Sequence, residues 1–266
     1  MNSRLIVCVL VMSSWLSGMV YAADDKKIYR IGVEDINYYP IQDFKHEPDR
    51  GVIKDIMDAF SQQAGIEFEY IPLPIQRFYH WFDDGAIDFR IPDNPRWTRE
   101  VQRELVYSEP FINLCATLVV KQENKTLAVD KVRRIGTLYG FTPSVLWRDR
   151  IARSEVELVS DPSLKVLTRM LMNDMVTGLD LDLSSVRYQL GKLSIPTDLV
   201  TVSEVVPHPS LGFHMSTLNH PEVISAFNAF LKKQESAVSK MARDKGIRFG
   251  SQCDSPLQDT ASQDPF

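Results

Sequence analysis

The 266-residue sequence contains only three cysteines and slightly fewer basic than acidic residues. Thirty Lys and Arg residues stand against 35 Asp and Glu residues, for a formal net charge of -5. Nucleic acids and anionic membranes bind proteins through clustered basic surfaces. The charge balance therefore argues against nucleic acid or an anionic membrane as the main partner.

Motifs that signal metal or nucleophilic chemistry are also absent from the sequence. The five histidines form no HExxH pair, no CxxC occurs, and there is no Gly-x-Ser-x-Gly turn or glycine-rich phosphate loop. Metal and nucleophile sites depend on such spacings, because they bring the reacting groups to one point. We therefore expect no metal site, no cofactor and no catalytic residue, and we interpret the chain as a non-enzymatic protein.

Only one stretch is long and apolar, and it lies at the N-terminus. Arg4 precedes an apolar run over residues 5–20, and Val20-Tyr21-Ala22 offers small or branched residues around a cleavage point. This order is typical of a secretory signal peptide. An uncleaved anchor helix is the alternative, but the run is shorter than the about 20 residues that span a bilayer. We predict a cleaved signal peptide over residues 1–22.

Removal of that peptide leaves two cysteines, Cys115 and Cys253. An oxidising compartment permits a disulfide between them. Cys253, however, lies in residues 250–266, which are rich in Ser, Gln and Asp and which we predict to be disordered. We therefore favour one buried free thiol and one free thiol in the tail over a disulfide.

From residue 28 onwards, short β-rich segments alternate with amphipathic helical segments. Residues 28–34, 68–73 and 87–91 are predicted strands, and residues 51–64 and 75–84 are predicted helices. This β-α-β-α-β order predicts parallel strands joined by helical crossovers.

A long apolar strand at residues 110–121 precedes a second series of the same kind. Its predicted strands are residues 134–138, 156–159, 176–182 and 199–205, and its predicted helices are residues 142–153, 163–173 and 184–193. A strand at residues 211–216 and one long helix at residues 221–245 follow. Two α/β series joined by two extended strands predict two lobes with a cleft between them, where ligands of open α/β sheets bind.

Four blocks in the chain resemble a known family. They are residues 51–65, residues 85–88 (GAID), residues 107–111 (YSEPF) and residues 134–140 (RIGTLYG). Their order and spacing are similar to those of the family 3 periplasmic solute-binding proteins of the amino-acid-binding type. The resemblance implies an α/β, two-lobed fold of the type II periplasmic-binding-protein kind, with two crossover strands.

The resemblance also implies a domain organisation and a function. Lobe 1 is expected to be discontinuous and to comprise residues 23–113 and 215–249, and lobe 2, with the crossover strands, residues 114–214. The expected function is the capture of a small polar, amino-acid-like solute between two closing lobes in the periplasm, for an ABC-type permease. A membrane receptor is the alternative partner. We expect a monomer that does not bind nucleic acid.

In the family, an Arg three residues after a Thr holds the ligand's α-carboxylate, together with N–H groups at a helix start, and a second-lobe Asp holds the α-ammonium. The register places Thr98 and Asp182 on the family Thr and Asp, but Val101 on the family Arg. Candidates to replace that Arg are Arg90, Arg96, Arg99 and Arg77. We favour Arg90, because it lies on the strand that approaches the cleft. An ion pair inside the lobe is its alternative role.

Aromatic side chains and the turn that opens the second lobe supply the remaining predicted contacts. Tyr38 and Tyr39 follow the first strand and Trp97 follows the third, and such rings bind apolar or cationic parts of a ligand. The turn before Pro143 could offer N–H groups to an anion. Its predicted contact residues are Thr137, Tyr139, Phe141 and Thr142.

An enzyme similar to the periplasmic cyclohexadienyl dehydratases is a further alternative on the same fold. That chemistry needs a general acid or base with a tuned pKa in the cleft. The candidates are Glu34, Asp35, Asp93 and Glu109, which the sequence does not bring into one recognisable arrangement.

Overall fold

The computed structural model describes residues 26–45, 50–83, 85–97 and 104–253. The predicted signal peptide, Thr98, Arg99, Val101 and residues 254–266 lie outside the described residues. No helix of the described ranges is long and apolar enough to cross a membrane.

The described ranges contain strands and helices in alternation. The strands are β1 (Ile28–Glu34), β2 (Glu67–Leu73), β3 (Phe89–Asp93), β4 (Val106–Tyr107), β5 (Ile112–Cys115), β6 (Leu118–Lys121), β7 (Arg134–Leu138), β8 (Glu157–Asp161), β9 (Gly178–Asp180), β10 (Val200–Val202) and β11 (Ser210–Thr217). The α-helices are α1 (Val52–Ala64), α2 (Val145–Ala152), α3 (Leu164–Met172), α4 (Leu183–Lys192), α5 (Pro221–Lys233) and α6 (Glu235–Asp244).

The strands form two separate sheets. The first has the order β2-β1-β3-β11-β4, and β5 also pairs with β11. The second has the order β10-β6-β9-β7-β8. In each sheet the central βαβ pairs are parallel, as predicted, whereas β11 and β6 run antiparallel to their neighbours. We call the unit built on the first sheet lobe 1 and the unit built on the second sheet lobe 2.

The predicted single strand over residues 110–121 is instead two strands in different sheets. β5 pairs with β11 in lobe 1 and β6 pairs with β9 in lobe 2, so the chain changes lobes between Cys115 and Leu118. It is held at this point by Ala116 N, which donates to Pro209 O at 2.9 Å, and by the Thr117 hydroxyl, which donates to Leu181 O at 2.7 Å. The lobe boundaries in residue numbers stay a prediction.

Two predicted helices differ in the structure. Residues 75–84 contain a 3-10 helix, Ile75–His80, in which Trp81 N donates to the Phe78 carbonyl at 3.4 Å, and that carbonyl also accepts from the Arg90 guanidinium at 2.9 Å. Residues 221–245 form α5 and α6, which are divided at Gln234. The division lets both helices pack on α1, where Phe60 contacts the rings of α5.

The C-terminal part of the chain overturns two predictions. Cys115 and Cys253 form a disulfide with their Cα atoms 5.1 Å apart, so the preferred prediction of two free thiols is wrong. Residues 250–253, predicted to be disordered, form a 3-10 helix. The reason is tertiary, because Phe249 pairs with Leu114 in an antiparallel bridge and brings the segment to the end of β5.

Candidate ligand-binding site

A cavity of about 220 Å³ lies between the two lobes. Its lining includes residues at the carboxyl ends of β1 and β9, the crossover after β5, the Ile75–His80 segment, the Arg96–Trp97 loop and the start of α2. Cavities for drug-sized ligands measure roughly 300–1,000 Å³. The volume therefore suits a smaller molecule.

Glu34 supplies an acid to this cavity at the end of β1. Its side chain is buried and accepts a hydrogen bond from the Gln42 amide. Burial raises the pKa of Glu34 to about 8, against the opposing effect of the Gln42 hydrogen bond. Glu34 is therefore largely protonated at neutral pH in this closed arrangement.

The loop after β1, in lobe 1, forms hydrogen bonds with the first turns of α4, in lobe 2. The Tyr38 hydroxyl accepts from Asp182 N at 2.7 Å, and the Tyr38 carbonyl accepts from the Ser185 hydroxyl at 3.3 Å. One turn later, the Gln189 amide donates to the Asn37 side chain at 3.4 Å. These contacts cross the cleft, so the structure represents the lobes in a closed position.

Asp182 lies at the N-cap of α4, inside the cavity. Its carboxylate accepts from Ser184 N at 2.8 Å and from the Ser184 hydroxyl, which satisfies the open end of the helix. Burial raises the pKa of Asp182, while the Ser184 hydrogen bonds oppose this increase. Asp182, a predicted site residue, thus lines the cavity, and its Oδ1 also caps the N-terminus of α4.

Asp180, two residues earlier, lines the same cavity and caps a different helix. Its Oδ2 accepts from Ser144 N, the N-cap residue of α2, at 2.8 Å. Burial raises the pKa of Asp180 to about 6, and the hydrogen bonds from Ser144 limit the increase. The N–H of Ser144 at this helix start is therefore already paired with Asp180.

The turn between β7 and α2 contributes two of its four predicted contact residues to the cavity lining. Phe141 and Thr142 line the cavity, and the Phe141 ring contacts Tyr38 edge-on at 5.3 Å between ring centroids. Thr137 is buried outside the lining and donates to Asp180 O at 3.3 Å. Tyr139 is 52% exposed and also lies outside the lining.

Arg90 does not take the position predicted for it. Its guanidinium is buried, donates from Nε to Asp93 Oδ2 at 2.9 Å and lies 3.8 Å from the Phe78 ring centroid. Asp93 also accepts from the Ser216 hydroxyl at 2.5 Å. The Arg90 guanidinium therefore makes its contacts inside lobe 1. The structure shows the ion pair within the lobe that was the alternative role for Arg90, and not a position in the cavity lining.

Two other arginines line the cavity. Arg96 comes from the loop after β3 and is exposed, and Arg148 comes from the second turn of α2 and is half-buried. Neither guanidinium has a hydrogen-bond or ion-pair partner among the residues that the structure describes. Trp97, as predicted, lines the cavity next to Arg96 and packs against Phe213 at 5.6 Å.

The remaining predicted contacts lie elsewhere. Tyr39 packs on Tyr188 at 4.4 Å between ring centroids and is not part of the cavity lining, whereas Tyr38 is. Thr98 lies outside the described residues. Asp180 and Arg148 line the cavity but are not among the residues predicted from the sequence. The Asp-x-Asp spacing at the end of β9 could have indicated Asp180, but no pattern singles out Arg148.

Comparison with known proteins gives structural matches only. No protein-family model matches the sequence, and no curated protein matches it. An ancestral arginine-binding protein bound to arginine is 15% identical, with a TM-score of 0.63 over 82% of this chain and 97% of that chain. The GluR0 ligand-binding core with L-glutamate is 12% identical, with a TM-score of 0.65 over 82% of this chain and 98% of that chain.

A third solved structure is the ancestral amino-acid-binding protein AncCDT-1, a precursor of cyclohexadienyl dehydratase. It is 15% identical, with a TM-score of 0.62 over 81% of this chain and 94% of that chain. The three matches agree with the two sheets and the crossover described above. The chain has the two-lobed fold of the type II periplasmic binding proteins. The fold prediction is confirmed.

In this two-lobed fold, the described cavity occupies the cleft between the lobes. Both lobes supply lining residues, such as Glu34 and Trp97 from lobe 1 and Asp180 and Asp182 from lobe 2. Among the described residues, no group of three or more His, Cys, Asp or Glu side chains is placed to hold a metal ion. The lining of the cavity is characterised by carboxyl groups, two arginines and aromatic side chains.

Proposed function

We propose that this chain is the substrate-binding protein of an amino-acid-type ABC uptake system, and that it captures a small, amine-bearing polar solute. The observation that carries the proposal is the cavity between the lobes, with the Tyr38–Asp182 hydrogen bond across the cleft beside it. A ligand that contacts both lobes stabilises the closed form, because it binds that form better than the open one. Capture by closure is the function that this geometry supports best.

The carboxyl groups of the cavity support an amine-bearing ligand. Burial raises the pKa of Glu34, Asp180 and Asp182, because removal of water penalises the charged carboxylate. A cationic group beside them would stabilise the carboxylates and lower these pKa values. The rings of Tyr38 and Phe141 add apolar walls of the kind that also attract cations.

A thermal-shift screen of amino acids, polyamines, organic acids and short peptides tests this proposal. A ligand at a hundredfold excess over its Kd adds about 2.7 kcal/mol to the free energy of unfolding. We expect stabilisation by at least one amine-bearing solute. Stabilisation by organic acids without an amine, and by no amine, would contradict the proposal.

Asp182→Asn tests the ligand's contact with lobe 2. Asparagine is also a good N-cap residue, so the variant keeps the start of α4 while it removes the charge. We expect ligand affinity to fall by at least about tenfold, since a hydrogen bond to a charged group contributes about 1.5–3 kcal/mol.

Asp161→Asn is the matched control for that variant. Asp161 also lies between a strand and a helix and accepts from the N–H two residues later, at 2.8 Å, but it lies outside the cavity lining. Equal losses of affinity in the two variants would show that the effect of Asp182→Asn is structural.

We further propose that the chain acts in the periplasm, as a monomer, after cleavage of its leader. Uptake of the stabilising ligand by cells with and without the chain distinguishes delivery to a permease from signalling through a receptor. Loss of uptake without the chain supports the permease. Unchanged uptake with a lost transcriptional or motility response to the same ligand supports the receptor.

An enzyme remains a second candidate because of Glu34. Of the four acids considered in the sequence analysis, Glu34 alone lines the cavity, and its pKa of about 8 suits a general acid at neutral pH. Asp93 is paired with Arg90, Asp35 pairs with Lys45 at 3.1 Å, and Glu109 is exposed. Turnover of prephenate or arogenate by the wild-type chain, lost in Glu34→Gln, would favour the enzyme.

A further inference from the structure

Four cations lie on the two sides of a junction between the lobes. Arg187 and Lys192 belong to α4 of lobe 2. Lys245 and Arg248 follow α6 in lobe 1, where Lys245 pairs with Asp55 of α1 at 3.3 Å. We call the four cations the cationic seam. They lie outside the lining of the described cavity, so the seam is a separate surface.

An aromatic pair connects the two sides of the seam. The Tyr39 ring in lobe 1 lies 4.4 Å from the Tyr188 ring in lobe 2, measured between centroids. Lys192 Nζ lies 5.1 Å from the Tyr188 centroid, and Lys245 Nζ lies 5.6 Å from the Tyr39 centroid. Each lysine is therefore within the range of a cation–π contact with the ring of its own lobe. At this end, the seam is one continuous surface across both lobes.

At its other end, the seam accumulates positive charge. Burial lowers the pKa of Arg248, the charge of Asp182 opposes the decrease, and the charge of Arg187 adds to it. Burial also lowers the pKa of His208, and the charge of Arg248 adds to that decrease. The Asp182 carboxylate is buried and caps α4. A surface with such an excess of one charge attracts a segment of the opposite charge.

The segment that follows the last described residue carries that opposite charge. Residues 254–266 contain no Lys, Arg or His. Their acids are Asp254, Asp259 and Asp264. The disulfide of Cys253 fixes the start of this segment at the end of β5, five residues after Arg248. A segment of such polar composition has no core of its own and becomes ordered only against a partner surface.

The segment is long enough to run along the seam. An extended chain advances about 3.3 Å per residue, so the stretch from Cys253 to Asp259 reaches up to about 20 Å. The helix from Arg187 to Lys192 is only about 7.5 Å long, at about 1.5 Å per residue. Successive acids of the segment can therefore reach different cations of the seam.

We propose that residues 254–266 dock on the cationic seam of the same chain through their aspartates and so hold the two lobes together. A contact shared by both lobes exists only while they are close, so it favours the closed form. The inference goes beyond the proposed function, because this contact lies outside the cavity. The same segment of a second copy is the alternative occupant, which the experiment distinguishes.

Zero-length crosslinking of the full chain tests the docking. A carbodiimide joins a carboxylate to an amine only where the two groups are in contact, and mass spectrometry identifies the linked peptides. We expect links from the aspartates of residues 254–266 to Lys192 or Lys245. The Asp55–Lys245 pair, at 3.3 Å, is the internal positive control. An Asp55 link without any link from the segment overturns the proposal and leaves the seam to an anion from outside the chain.

Arg187→Gln tests whether the seam holds the segment. The substitution removes a cation but no amine, so the crosslinking chemistry is unchanged. We expect the yield of links to Lys192 to fall by about two- to fivefold, the contribution of one ion pair at the surface. Arg169→Gln, at an exposed position on α3 of the same lobe, is the matched control and should keep the wild-type yield. Equal yields in Arg187→Gln and wild type overturn the proposal.

The triple variant Asp254→Asn/Asp259→Asn/Asp264→Asn tests the effect on the lobes. We expect small-angle scattering without added ligand to show a larger radius of gyration than for wild type. Sodium chloride at about 1 M should enlarge the wild-type protein in the same way, because it screens the charges, and should leave the triple variant unchanged. An unchanged radius in the triple variant overturns the role of the segment in holding the lobes.

Two further readouts complete the test. Links found only in crosslinked dimers assign the segment to a second copy and overturn docking within one chain. An unchanged circular dichroism spectrum shows that each variant is folded. Neither crosslinking nor scattering uses a ligand, so failure of this inference is distinct from failure of the proposed function.

Discussion

The hydroxyl of Tyr38 in lobe 1 accepts a hydrogen bond of 2.7 Å from the backbone N–H of Asp182 in lobe 2. The carboxylate of Asp182 also caps the N-terminus of α4, and the side chains of Tyr38 and Asp182 both line the cavity. Movement of the lobes apart would therefore break this bond and open the site in the same step. Closure and ligand capture are linked at one point of the structure.

Tyr38→Phe is expected to weaken closure without unfolding either lobe. It leaves the buried Asp182 N–H without its partner in the closed form, which costs about 1–3 kcal/mol. That loss corresponds to ligand binding weaker by about fivefold to 140-fold. Isothermal titration with the stabilising ligand measures it, and Tyr139→Phe, whose side chain is exposed outside the cavity, is the control. Equal affinities in wild type and Tyr38→Phe would contradict the linkage.

Gly140→Ala is expected to hold the lobes open. A Cβ at Gly140 would lie 2.1 Å from Ile75 Cγ2 in the other lobe, and the residue has φ = 98°, which disfavours alanine. Scattering experiments with saturating ligand should show a larger radius of gyration than for wild type. Gly191→Ala in α4 is the control, because a Cβ there meets nothing within 4 Å. A compact liganded Gly140→Ala protein would show that this contact does not limit closure.

The stability of the closed protein should fall as the pH rises from about 6 to 8. Burial raises the pKa of Glu34 from 4.5 to about 8, so in this window the folded protein keeps a proton that the unfolded chain releases. The slope for one such group is at most about 1.4 kcal/mol per pH unit. Asp180, with a pKa of about 6, contributes mainly at lower pH.

Glu34→Gln should flatten that dependence between pH 6 and 8, because the amide cannot release a proton. Chemical unfolding at several pH values measures it, and Glu109→Gln at an exposed position serves as the control. A slope that persists in Glu34→Gln would assign the titration to another group.

Reduction of the Cys115–Cys253 disulfide should destabilise the protein. The bond closes a loop with a sequence separation of 138, and loss of such a bond typically costs about 2–5 kcal/mol. For a chain of this size we expect Tm to fall by roughly 5–15 °C in reductant. The double variant Cys115→Ser/Cys253→Ser should show the lower Tm and no response to reductant. An unchanged Tm after thiol assays confirm complete reduction would contradict the prediction.

Part of the site could be predicted from local signals. Asp182 follows an apolar strand and precedes a helix, and Tyr38, Trp97, Phe141 and Thr142 lie at strand ends, which converge on one edge of an open α/β sheet. Such positions are determined by the order of elements alone. Tyr39 was predicted on the same grounds, but the chain turns at Tyr39 and Pro40, and the Tyr39 ring packs on Tyr188 instead of lining the cavity.

The sequence by itself determined the alternation of strands and helices, the two lobes and the cleft, because hydrophobic periodicity and turn residues act over a few positions. Only the tertiary structure decided which distant polar groups and thiols pair with each other. It placed Asp180 with Ser144 and Cys115 with Cys253, and it brought Arg148 of α2 into the cavity lining. Such pairings depend on distances between elements far apart in the chain, and no local pattern encodes those distances.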